Sequence, residues 1–328
     1  MRKAGIGDEP ISIQGLGQLG DVVESGKGPG EVGAGDRYLG SGAAGATAAA
    51  LRLRPEAVMG YFARSIELST TRIDDLVAPP QALSQLERLE QQIRQRSKIL
   101  NTWSFATRGG EAAGVTAVLH GPEGHGKTLT ARVLAKRLDQ PLYSVDLARV
   151  EGVVPVETLN NLDALFAAAA RLDAVLLFEN ADTLFRPRGS AEHPVSDATY
   201  LISSYLNQKL KTHGGVVILE SDRNIDSAAL SAASLKIELP FPDAPQRAGI
   251  WQRAFPAGTP LGDGITPERL APLNLSGGQI CQVARNAASI AAAQERAVTL
   301  TDLRTAVYDE YAKNGRITSG VERQVFGS

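Results

Sequence analysis

The sequence predicts an α/β protein: a mostly parallel sheet covered by helices on both faces, followed by a smaller all-helical domain. Three observations predict it. Short apolar runs that read as buried strands recur between about residues 115 and 239, with helix-length amphipathic segments between them. Strands that alternate with helices imply crossover connections and therefore parallel pairing. After Pro242 the strand signals stop and only helical periodicity remains.

The first 45 residues hold 13 of the 33 glycines, and an Ala-rich stretch follows. Such a composition buries too little apolar surface to offset the entropy of ordering it, so residues 1–71 are expected to be a largely flexible Gly/Ala-rich segment. Gly15-Leu-Gly17-Gln-Leu-Gly20 matches the dinucleotide pattern GxGxxG, but that pattern needs a helix directly behind it. Here Asp21–Ser25 runs straight into Gly26-Lys-Gly28-Pro-Gly30, which cannot sustain one, and the match is set aside.

From residue 73 the pattern is regular. Leu83, Leu86, Leu89, Ile93 and Leu100 recur at helical spacing, with Glu87, Arg88, Glu90, Arg94 and Arg96 as a solvated charged face. Strands are expected at Val115–Leu119, Pro141–Val145, Ala174–Phe178, Val216–Leu219 and Leu235–Leu239, and helices at 127–138, 157–171 and 198–211. Beyond Pro242, helices are expected near 243–255, 266–272, 277–295 and 300–313, with Asp243, Thr266, Ser276 and Thr301 as cap signals. The division is 1–71, 72–241 for the sheet domain, 242–314 for the helical domain and 315–328 for a tail. Trp103 and Trp251 read as core anchors.

Composition excludes several classes. A net charge of -2 and a pI near 6.1 give no electrostatic case for nucleic acid. No run of about 18 apolar residues is present to span a membrane, and the N-terminus is not a signal peptide. A single cysteine, Cys281, fits a reducing compartment and reads as a buried small apolar residue, and the expected location is a bacterial or archaeal cytoplasm. His120, His125, His193 and His213 share no metal-ligand spacing with it.

Between the first strand and the 127–138 helix lies Gly121-Pro122-Glu123-Gly124-His125-Gly126-Lys127-Thr128, a full match to GxxxxGK[ST] in the strand–loop–helix context that its chemistry requires. Glycines let backbone N–H groups curl around phosphates, and the helix N-terminus adds favourable field for the anion. Lys127 is expected to neutralise the β- and γ-phosphates of ATP, and the Thr128 hydroxyl to stand on Mg²⁺, with Leu129 continuing the binding turn and His125 facing solvent.

The strand Ala174–Phe178 ends in Glu179-Asn180-Ala181-Asp182-Thr183-Leu184-Phe185. This segment resembles the Walker B stretch hhhhDEADxLF of the AAA+ ATPases. Arg72-Ile-Asp-Asp75-Leu76-Val resembles the family's opening motif beside the adenine. Ser144–Val150 and Glu157–Leu162 resemble its second strand and the helix behind its pore loop, and Leu275-Ser-Gly-Gly278-Gln-Ile resembles the start of its lid helix. The combination is most similar to the AAA+ ATPases encoded with contractile, phage-tail-like injection systems, over residues 72 to about 313. The resemblance implies a P-loop nucleoside triphosphatase with a helical lid, ATP and Mg²⁺ as ligands, Asp75, Leu76 and Gly278 at the nucleotide, Thr128 and Glu179 at the metal, and rings, often of six subunits.

The departures from that pattern fall on catalysis. Asn180 stands where the family has Glu and cannot take a proton from the attacking water, a contribution of about 10²–10⁴-fold. Ser231 and Ser234 stand in the region of the arginine fingers, in Asp226-Ser-Ala-Ala-Leu230-Ser231-Ala-Ala-Ser234. Asp222 occupies the sensor 1 position, where an acid repels a γ-phosphate unless protonated or paired. Cys281 and Val154 fall at the sensor 2 arginine and the pore-loop aromatic. Arg186, Arg188 and Arg223 are candidates for a displaced finger. The expectation is an ATP-binding assembly or scaffold subunit, in a homo- or hetero-oligomeric ring with protein partners, and with weak or no hydrolysis. The alternatives are an active AAA+ ATPase that remodels a protein complex, and a nucleotide-free protein–protein adaptor.

Overall fold

The computed structural model describes residues 54–103, 114–152, 155–185, 197–225, 230–313, 315–316 and 319–327. The GxGxxG match, Val154, Arg186, Arg188 and residues 226–229 lie outside them.

Six strands form one sheet: β1 (Ala63–Ile66), β2 (Val115–His120), β3 (Leu142–Val145), β4 (Val175–Phe178), β5 (Val216–Ser221) and β6 (Leu235–Glu238). Their spatial order is β1-β3-β4-β5-β2-β6. Every pairing is parallel except that of β1 with β3. The sheet is nearly continuous in apolar residues because both faces are covered. On one face Val115, Ala117, Leu119, Val175, Leu177, Val216 and Ile218 pack beneath α2 (Pro80–Ser97) and α3 (Lys127–Leu138). On the other, Val118, Leu176, Phe178, Val217 and Leu219 pack against α1 (Pro55–Phe62), α5 (Pro155–Leu172) and α6 (Asp197–Thr212). The short α4 (Leu147–Val150) is capped by Asp146, whose carboxylate accepts from the Ala148 N–H.

The helical domain has its own core, in which Trp251, Ile280, Val283, Leu303, Val307 and Tyr311 meet. Its helices are α7 (Ala244–Ala254), α8 (Pro267–Leu270), α9 (Gly277–Ala292) and α10 (Leu300–Lys313), followed by α11 (Gly320–Val325). Asp243, Thr266 and Ser276 cap the first three as expected. At α10 the cap is Thr299 rather than Thr301: its N–H and hydroxyl reach Asp302, whose own N–H returns to the Thr299 hydroxyl. No helix among the described residues is long and apolar enough to cross a membrane.

Three expectations are corrected. Residues 54–71 are not a flexible lead-in: Val58, Met59 and Phe62 of α1 are fully buried and β1 adds an antiparallel edge strand. The final residues are not a plain tail, because Val325 is buried in the helical core and Glu322 accepts hydrogen bonds from Tyr311 and Arg316. Trp103 is exposed, with the Lys98 ammonium over its ring, and only Trp251 is a core anchor.

Candidate nucleotide-binding site

Ligands of open α/β sheets bind outside the carboxyl ends of the strands, and here β2, β4 and β5 deliver Gly121, Glu179 and Asp222 to that edge. A cavity of about 720 Å³ lies there. The loop from Glu123 to Leu129, Asp75, Leu76, Glu179, Asn180, Asp222 and Gly278 line it, so every expected site residue except Gly121 and Pro122 faces one space. Those two lie just below it, as carbonyl acceptors for Lys127.

The loop takes its shape from glycine. Gly126 precedes α3 with φ 90°, and Gly124 has φ 78°, a left-handed backbone that costs a side chain about 1–2 kcal/mol. A Cβ on Gly124 would also lie 2.7 Å from Ser276 Oγ. Close approach from the helical domain explains this: the Gly278 N–H donates to the Gly124 carbonyl at 2.8 Å. The start of α9 thus closes directly on the loop.

Lys127 Nζ has three donors, and the protein engages all of them: the carbonyls of Gly121 at 2.6 Å and Pro122 at 3.2 Å, and Asp222 Oδ1 at 2.6 Å. Asp222 is therefore paired, the condition under which an acid is tolerated beside a phosphate site. Asn180 follows β4 with φ 53°, a conformation that suits Asn better than Glu. Glu179 accepts from the Ser144 hydroxyl at 2.7 Å and lies 4.0 Å from Arg64 of β1.

Glu220 is the site residue that sequence reasoning missed. It is buried, its Oε2 accepts from the Thr128 hydroxyl at 3.1 Å, and its Oε1 has no hydrogen-bond partner among the described residues. Burial pushes its carboxyl up to about 7 against the opposing Thr128 bond, with Glu179 adding to the rise. The signal for it was an acid directly after the apolar run Val216–Leu219, at a position that continues the strand, which buried strands rarely carry.

Two smaller expectations also change. His125 is half-buried rather than simply solvent-facing: its Nδ1 lies 3.1 Å from the Leu239 carbonyl and its ring meets Phe241 edge-on. Burial lowers its pKa. Cys281 is exposed on the cavity wall rather than buried. Ser231 and Ser234 are exposed on the surface, as is Arg223 beside Asp222.

Among the described residues, no three His, Cys, Asp or Glu side chains converge as a self-sufficient metal site. Thr128, Glu179 and Glu220 fit a hard cation that draws its remaining ligands from phosphate oxygens and water, the usual arrangement for Mg²⁺.

A glycine-shaped phosphate loop between β2 and α3, at the carboxyl edge of a parallel sheet, defines the P-loop nucleoside triphosphatase class. Within that class, residues 117–241 match the family described as AAA, ATPase family associated with various cellular activities, and the chain carries an AAA ATPase-family domain. Similar proteins include Fidgetin-like protein 2 of Homo sapiens, 30% identical over 64% of this chain and 33% of that protein. The ATP-dependent zinc metalloprotease FtsH 1 of Salinibacter ruber is 30% identical over 66% of this chain and 32% of its own length. Spastin of Anopheles gambiae is 26% identical over 52% and 22% respectively. The chain spans about a third or less of the length of these relatives.

Proposed function

We propose that this chain binds ATP with Mg²⁺ through its AAA domain and holds it as a long-lived structural ligand, with weak or no hydrolysis, as an assembly or scaffold subunit. The observation that carries the reading is a contrast within one cavity. The phosphate loop has its glycines, Lys127 and Thr128 in place, whereas Asn180 offers no proton acceptor at the end of β4. The exposed Ser231 and Ser234 offer no cation where the family resemblance places arginine fingers, a contribution of about 10³–10⁵-fold.

In this reading Lys127 and the loop N–H groups bind the phosphates, Thr128 and the strand-end carboxylates hold the metal's shell, and α9 closes over the loop through Gly278. The metal supplies charge neutralisation on the phosphates. A ligand that binds only the folded form stabilises it by mass action, and slow turnover prolongs that effect. The combination of motifs over residues 72 to about 313, which most resembles ATPases of contractile, phage-tail-like injection systems, supports such an assembly as the setting. It also supports a cytoplasmic ring, homomeric or mixed, whose partners are proteins. In a mixed ring Asn180 silences this subunit's own pocket, while Ser231 and Ser234 withhold a cation from the neighbour's.

Purified chain is expected to bind ATP without releasing phosphate above background, and Lys127→Ala to lose the binding. Asn180→Glu alone restores no turnover in a homo-oligomer, because the cation is also missing. Substantial turnover in that single variant contradicts the assignment.

A further inference from the structure

β5 carries an acid where its pattern asks for an apolar residue. Val216 and Ile218 face α2 and α3, and Val217 and Leu219 face α5 and α6. The alternation turns Glu220 toward α3, whose second residue is Thr128. Glu220 is 5% exposed, lines the nucleotide cavity and accepts from Thr128 with one oxygen, while Oε1 is buried without a hydrogen-bond partner among the described residues. A buried carboxylate left half-bonded is costly unless a cation or a proton meets it. The nearest ammonium, Lys127, has its three donors engaged by Gly121, Pro122 and Asp222.

The strand-end acid of β4 is turned elsewhere. Phe178 pairs with Leu219 in register, which sets Glu179 beside Glu220 at the ends of neighbouring strands. Glu179 nevertheless takes its hydrogen bond from Ser144, on the β3 side, away from Thr128. Of the two neighbouring acids, Glu179 and Glu220, the one in contact with the phosphate loop is Glu220.

We infer that Glu220, with Thr128, is the principal protein group for the divalent cation that accompanies the nucleotide, and that Glu179 is secondary. The site suits a hard, oxygen-preferring ion of the Mg²⁺ class, with phosphates completing the shell. Metal binding is then strongly nucleotide-dependent. The inference rests on the ATP-binding reading above and adds to it which carboxylate serves the metal.

The test compares ATP affinity in Mg²⁺ and in EDTA for the unaltered chain, E220Q and E179Q, with Mn²⁺ paramagnetic resonance on the same proteins. The Gln isostere is expected to cut the gain in affinity from Mg²⁺ by about 10- to 100-fold. Its affinity in EDTA stays the same or rises, and it unfolds without nucleotide at an unchanged or higher temperature. E179Q costs less of the gain. The Mn²⁺ spectrum with ATP changes in E220Q. If that variant does not fold, E220D decides, with a Mg²⁺ gain reduced by about tenfold expected from the shorter reach. A full Mg²⁺ gain in E220Q, or in E220D in its stead, overturns the inference alone, as does a larger loss in E179Q. No ATP binding by the unaltered chain overturns both readings together.

Discussion

Lys127 illustrates how much one residue's surroundings decide. The motif gives its identity and its place before α3, but not that Asp222 lies 2.6 Å from its ammonium. Asp222 competes for the charge that phosphates would use, although its half-exposed carboxylate limits the strength of the pair. Asp222→Asn is expected to release Lys127 and tighten ATP by about 1 kcal/mol or less, roughly up to fivefold. Equal or weaker binding in that variant, measured by titration, contradicts the competition. Glycine positions, Lys127 and Thr128 were legible because phosphate chemistry demands those residue types at fixed spacing, and Glu179 because it ends an apolar strand in a segment that resembles the family's Walker B stretch. Glu220 was not, since a single acid in a strand gains meaning only once the parallel register sets it beside Glu179 and the strand's alternation turns it toward Thr128.

At the scale of elements, α1 and β1 depart furthest from the sequence reading. Glycine-rich composition upstream masked about two turns of helix whose apolar residues pack on the sheet's far face. Phe62 has no exposed surface and packs in the same core as Phe178 and Leu165. Phe62→Ala is expected to cost about 3–5 kcal/mol in chemical denaturation, whereas a flexible lead-in predicts almost none. The same core carries a pH dependence. His213 directly follows α6, with Nε2 buried and unbonded among the described residues and its ring edge-on to Phe166. Burial, with Arg96 and Lys209 nearby, lowers its pKa to about 4. Unfolded, the imidazole takes its proton near pH 6.5, so between those values the unfolded chain binds the extra proton. The contribution of the neutral His213 is whole above about pH 6.5 and falls by ~3 kcal/mol as the pH drops toward 4. Glu220, held up near 7, gains stability over the same range, so the test is a difference. A urea midpoint of the unaltered chain that does not fall relative to that of His213→Leu between pH 7 and pH 4.5 contradicts this. The strands and the cap residues Asp243, Thr266 and Ser276 were readable because periodicity and capping are local. The β1–β3 pairing joins segments nearly eighty residues apart and left no local mark.

For the molecule as a whole, two cores meet at one cavity. The sheet domain brings the phosphate loop and the acids, and the helical domain brings Gly278 to within a hydrogen bond of Gly124. A nucleotide seated there touches both cores, so its presence is expected to link their relative position to occupancy. That linkage has structural value only while the triphosphate persists. Everything distinctive in the reading therefore reduces to the lifetime of bound ATP. The direct measurement loads the purified chain with ATP labelled at the γ-phosphate in Mg²⁺, removes free nucleotide, and follows the label on the protein. The account predicts intact triphosphate retained over many hours. Conversion to ADP and free phosphate within minutes contradicts it.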